Sequence, residues 1–107
     1  MPFLPSKVEA AAANQMILDT TALLSEFLGT FFFALTLFAS GGNPLFMGGS
    51  LALCIVLLKK YSGAQLNPAF SFAMYLRGSL SFNELLLYSA AQLTAAAASL
   101  YTYRVFA

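Results

Sequence analysis

Between Glu26 and Lys59 the sequence holds no ionisable side chain apart from the Cys54 thiol. A single helix of roughly thirty residues would be about half as long again as the hydrocarbon core of a bilayer. The apolar stretch therefore predicts two spans, parted where Gly41, Gly42, Asn43 and Pro44 cannot continue a helix. The first is expected over about residues 20–40, with Asp19 and Thr20 as N-caps and Phe31, Phe32 and Phe33 as lipid-facing or packing bulk. Ser25 and Gly29, four apart, leave one face small enough for a second helix to approach closely. The second span is expected over about 45–61. It begins on the small residues Gly48, Gly49, Ser50 and Ala52, which predict a close-packing surface, and ends on Lys59 and Lys60, whose stems can snorkel. A third, at about 81–104, opens on Ser81-Phe82-Asn83-Glu84, which has the form of a capping box with Glu84 as its structural cap. Its middle is alanine-rich, and Tyr101 and Tyr103 stand where an interfacial aromatic belt belongs. Residues 1–19, with Pro2, Pro5 and a run of alanines, are neither long nor apolar enough to cross and read as an interfacial or loose N-terminal arm.

The polar, turn-rich stretch from Ser62 to Ala69 interrupts this pattern. Irregular backbone at membrane depth is tolerated only where protein buries it or where it lines a water-filled cavity. Pro68 suits the first position of a helix, and Asn67 before it can cap the free N–H groups that follow. The apolar segment to Leu76 is then about 13 Å long, close to half of the hydrocarbon core, so its N-terminus is expected near the midplane. Residues 62–76 thus predict a re-entrant loop and half-helix. The Asn67 amide can donate to a water or hydroxyl oxygen, and the carbonyls of Ala64, Gln65 and Leu66 can supply acceptors leading to it.

Composition agrees with a membrane protein: of 107 residues 60% are hydrophobic and 8% charged, with a mean hydropathy of +0.78, too little charge for an ordinary soluble domain of this size. A net charge of +1 without a basic stripe gives no reason to expect a nucleic-acid partner. With no histidine and a single cysteine in an apolar segment, neither a zinc site nor an internal disulfide can be built, and Cys54 reads as a small core residue. No cofactor is called for, and no constellation of base, nucleophile and metal suggests an enzyme. Phe38-Ala39-Ser40-Gly41 faintly resembles a signal cleavage site, but Asp19 and Glu26 stand where a positive cluster is needed.

Ser62-Gly63-Ala64-Gln65-Leu66-Asn67-Pro68-Ala69 resembles the loop signature of the aquaporin (major intrinsic protein) family. Glu26-Phe27-Leu28-Gly29-Thr30 resembles that family's first-helix motif, and Tyr88 with Ala91-Gln92 its third-helix motif, so the likeness covers about residues 22–104. The resemblance implies an all-α membrane protein of three transmembrane helices plus one re-entrant NPA half-helix, half of an aquaporin fold. It implies pore roles for Asn67, Pro68, Ala69, Ala64, Gln65 and Leu66. Glu26 would be the buried carboxylate that accepts from the loop backbone, the alternative being a boundary glutamate that snorkels. Gln92 would be a buried polar brace, or else a helix-to-helix hydrogen bond. Met47, counted back from Asn67, falls where the family places a second-helix contribution to the selectivity constriction, or it is an ordinary apolar helix start.

A complete member of that family resembles two inverted copies of this unit, with an arginine after the second NPA. Here Phe70 follows Ala69, as in the first copy, and Gln65 stands where a histidine is usual, so no particular solute is implied. The functional expectation is a half-length channel subunit in a lipid bilayer that passes water or a small neutral solute with an inverted companion half. The alternative is a non-conducting structural subunit of a larger membrane assembly. With three spans, Lys7, Lys59, Lys60 and Arg77 fall on one side and Arg104 on the other, which predicts a cytoplasmic N-terminus and a C-terminus on the opposite side.

Overall fold

The computed structural model describes residues 6–107, with the side chains of 10–18 left aside. Four helices follow one another: α1 (Lys7–Ser40), α2 (Pro44–Ser62), α3 (Pro68–Leu76) and α4 (Phe82–Phe106). The expected start of the first helix is corrected. Asp19 and Thr20 are not caps but lie inside α1, which begins at Lys7. Ser6 accepts from the Glu9 N–H while the Glu9 carboxylate accepts from the Ser6 N–H, a capping box in Ser6-Lys7-Val8-Glu9 like that of the last helix. Strong helix formers carry it onward through the alanine run. What was expected as a loose arm is therefore helical from Lys7, and its first five residues lie outside the described part.

The other boundaries have local causes. Gly41 closes α1 in the left-handed conformation, with φ +64°, and the Asn43 side chain accepts from the Leu45 and Phe46 N–H groups so that Pro44 opens α2. The Ser81 and Glu84 capping box opens α4 as expected. Two stretches, Asp19–Ser40 and Pro44–Ser62, are long and apolar enough to cross a membrane.

α1 packs on both α2 and α4, and α3 lies against α4. Ala22 clusters with Tyr88 near one end and Phe38 meets Tyr103 near the other, with ring centroids 6.0 Å apart, so α1 and α4 run in the same direction. The interior of this arrangement is unusually polar: Ser25, Glu26, Thr30, Ser50, Ser62, Ser71, Gln92 and Ser99 are buried, while Leu24, Leu28, Phe32, Leu53, Val56, Leu86 and Leu93 are exposed. Water would disfavour that distribution, whereas in lipid the exposed side chains are solvated and the polar groups must find partners inside.

The small face of α1 is used. A Cβ on Gly29 would stand 2.5 Å from Leu66 Cδ2 and 2.7 Å from Leu58 Cδ1, and the Cys54 thiol, buried as expected, lies 3.7 Å from the Gly29 carbonyl oxygen. Gly29→Val is therefore expected to destabilise the fold by about 1–3 kcal/mol through overpacking. Unfolding in detergent checks this, and unchanged stability would mean that Leu66 can move aside freely. By contrast, nothing among the described residues comes within 4 Å of a Cβ placed on Gly48 or Gly49, so of the close-packing surface expected there Ser50 is buried but the two glycines are not in contact.

Candidate functional site

The loop between α2 and α3 is built around one carboxylate. Glu26 on α1 is fully buried, and its two oxygens accept four hydrogen bonds. Oε2 accepts from Ser62 Oγ at 2.6 Å and from the Gln65 N–H at 3.0 Å; Oε1 accepts from the Leu66 N–H at 2.7 Å and from Gln92 Nε2 at 2.9 Å. An acceptor-only group with about four lone-pair sites is matched donor for donor. The structure thus places the Glu26 carboxylate against the loop, with the Gln92 amide beside it.

Those bonds dictate which way the loop backbone faces. In a planar trans peptide the N–H and the preceding C=O point in opposite directions. Because the Gln65 and Leu66 amides point at Glu26, the carbonyls of Ala64 and Gln65 point away from it. No hydrogen bond among the described residues ends on the carbonyls of Ala64, Gln65 or Leu66. The turns required are costly for non-glycine residues: Ala64 has φ +49° and Leu66 φ +56°, a conformation about 1–2 kcal/mol per residue above the right-handed one. The strong acceptor at Glu26 offsets this.

Two further contacts hold the start of the loop. Tyr88 on α4 donates its hydroxyl to the Ser62 carbonyl at 2.9 Å, and Ser62 Oγ accepts from the Ala64 N–H at 3.2 Å. Gln92, buried like Glu26, donates a second time, to Ser71 Oγ at 2.9 Å, and Ser71 donates to Gln65 Oε1 at 2.6 Å. The Gln92 Oε1 is left buried without a partner among the described residues, as is Thr30 Oγ1 one turn beyond Glu26. An orphaned buried acceptor costs on the order of 1–3 kcal/mol, so the orientation of Gln92 is dictated by its two donors.

Past the loop, Asn67 caps α3 as expected, its Oδ1 accepting from the Ala69 N–H at 2.8 Å. That leaves the Asn67 NH₂ as an exposed donor at a helix N-terminus, with Pro68 as the first helical residue and Ala69 exposed behind it. Met47 is not brought to this group. It lies in the first turn of α2, about 22 Å of helix away from Ser62, and no contact joins α2 to α3 among the described residues.

Ser62 and Ser71 are the participants that reading the sequence overlooked. Ser71 is a polar residue in an otherwise apolar turn of α3 and one turn beyond Asn67, a pattern that can mark it in the sequence. Ser62 carries no such mark, because serine before glycine at a helix end is ordinary.

Taken together, the fold is that of an all-helical integral membrane protein in which a buried carboxylate braces an irregular polar loop opening on a short helix. The family model described as major intrinsic protein matches residues 19–106, and the chain belongs to that family, whose members are aquaporin-like channels rather than enzymes. No curated protein and no solved structure matches it.

Proposed function

We propose that the chain is a half-length aquaporin-like channel subunit for passive movement of water or a small neutral solute, acting with an inverted companion half. The observation that carries this reading is the orientation of the loop: Glu26 takes the amides of Gln65 and Leu66, which turns the carbonyls of Ala64 and Gln65 to the other side. Acceptors there, followed by the free Asn67 NH₂, form a file of alternating polarity that can replace the hydration of a neutral solute. The N-terminus of α3 adds a partial positive charge of about +0.5, which opposes cations and protons. Pro68, Ala69 and the Leu66 carbonyl complete this wall, and Met47 belongs to a constriction farther along it.

In this reading α1, α2 and α4 span the bilayer and α3 is a re-entrant half-helix. The 25 residues of α4 measure about 37 Å, enough to cross, and the nine of α3 about 13 Å, which is not. With that topology the N-terminus is cytoplasmic and the C-terminus outside. A reporter fused at Ala107 is expected to read non-cytoplasmic, and a cytoplasmic reading in most molecules would overturn the orientation.

Stopped-flow swelling of vesicles that hold the chain together with an engineered inverted copy tests the proposal. Water permeability is expected to rise well above that of the lipid and to be lost with Asn67→Asp, which removes the donor and adds a charge. No rise with both halves correctly inserted would point instead to a packing role in a membrane assembly.

A further inference from the structure

One side-chain chain connects the buried carboxylate to the open side of the loop, and its direction is determined from one end. Glu26 can only accept, so Gln92 must present its NH₂ to it. The same NH₂ also donates to Ser71 Oγ. Ser71 has one proton, and with its oxygen accepting from Gln92 that proton goes to Gln65 Oε1, 2.6 Å away. The Gln65 carboxamide thus has its oxygen tied inward, leaving Nε2 as its free end.

Burial falls along the same chain. Glu26 and Ser71 are 0% exposed and Gln92 1%, whereas Gln65 is only partly buried and Asn67 is exposed. Gln65 Nε2 lies beside Gly63, 3.6 Å from where a Cβ there would be. It makes no hydrogen bond among the described residues. Reversing the amide would set Nε2 against Ser71 and take from the hydroxyl the acceptor that its proton has in Gln65 Oε1.

We propose that Gln65 Nε2 is a second, fixed hydrogen-bond donor for solute oxygen, next to Asn67, and that Ser71 is the residue that positions it. The inference rests on the channel reading above and deepens it. Glu26 then determines both polarities of the wall: through the backbone it turns carbonyl acceptors outward, and through Gln92 and Ser71 it turns an amide donor outward. The favoured solutes are those whose oxygen can take two donors while their own protons reach carbonyls, which describes water, small polyols and small amides.

The test combines a direct readout of the side chain with one of transport. For the ¹⁵N-labelled full chain in lipid nanodiscs, relaxation of the Gln65 NH₂ is expected to give an order parameter of roughly 0.8, typical of a rigid group, falling below about 0.6 in Ser71→Ala and kept in Ser71→Thr, which retains the hydroxyl. In vesicles with the inverted copy, Ser71→Ala and Gln65→Leu are each expected to change the ratio of water to glycerol permeability by about fivefold, the scale of one hydrogen bond. Ser71→Ala in the Gln65→Leu background is expected to change it no further, because Ser71 acts only through Gln65. A mobile Gln65 NH₂ in the unaltered chain, an unchanged ratio in Ser71→Ala, or additive effects in the double variant would overturn the proposal. If no pairing conducts, the channel reading falls, and with it the donor's role towards solute. The relaxation data then still decide whether Ser71 positions Gln65.

Discussion

Glu26→Ala is expected to lower stability in detergent by about 3–5 kcal/mol, the largest effect of any single substitution at this site. Four donors lose their acceptor at once. Ser62 Oγ can rotate and Gln92 keeps Ser71, but the Gln65 and Leu66 amides are held by the backbone and cannot turn to another partner. Each buried donor left unmade costs on the order of 1–3 kcal/mol. The left-handed conformations of Ala64 and Leu66 also lose what offsets them, so the loop is expected to relax and its outward carbonyls to lose their alignment. Glu26→Gln keeps one oxygen and sets an NH₂ against donors at the other, which places its cost between the two, at about 2 kcal/mol. Thermal unfolding of the purified variants measures the order, and amide exchange at Gln65 and Leu66 reports the loop itself. An unchanged midpoint and unchanged protection for Glu26→Ala would mean that the carboxylate does not brace the loop.

Vesicles that hold this 107-residue chain alone, in one orientation, are expected to show no water permeability above that of the lipid. Copies inserted the same way are related by an axis along the membrane normal. Their α3 N-termini then all approach from one side, whereas a pore of the inverted-repeat kind needs half-helices from both faces, related by an axis in the membrane plane. Spontaneous mixing of orientations is opposed by the cations. With the proposed three spans, Lys59 and Lys60 at the end of α2 and Arg77 at the cap of α3 fall on the side of Lys7, against Arg104 in the last turn of α4. High permeability from the uniformly oriented chain, abolished by Asn67→Asp, would show that a parallel assembly conducts and that no inverted companion is needed.

Elements governed by neighbouring residues were legible in the sequence. The short helix α3 starts at Pro68 and ends at Leu76 because Asn67, Pro68 and the residues before Gly78 act over one or two turns. The turn at 41–44 and the capping box at Ser81 and Glu84 are equally local. The start of α1 was legible too, in Ser6 and Glu9, but the polar and proline residues around them suggested an arm, and Asp19 looked like a cap when it was only a polar residue inside a helix that continues. Tyr88 could be singled out, but not its hydrogen bond to Ser62. That pairing depends on how α4 packs beside α1 and on where α2 ends.

By itself the sequence determined the class of protein and the residues of the loop. The absence of charge over two span lengths, the breakers between them and the Asn67-Pro68 start are consequences of chain chemistry at short range. Tertiary structure decided what the loop presents. A carboxylate 39 and 40 positions away in the chain takes two of its amides, a glutamine 66 positions beyond that carboxylate takes Ser71, and the polarity of the exposed groups follows. Hydrogen-bond direction is a property of partners in space: an amide or hydroxyl can face either way until a group that can only accept is set beside it. In this fold that group is Glu26, and its place beside the loop is set by the packing of α1 on α2 and α4.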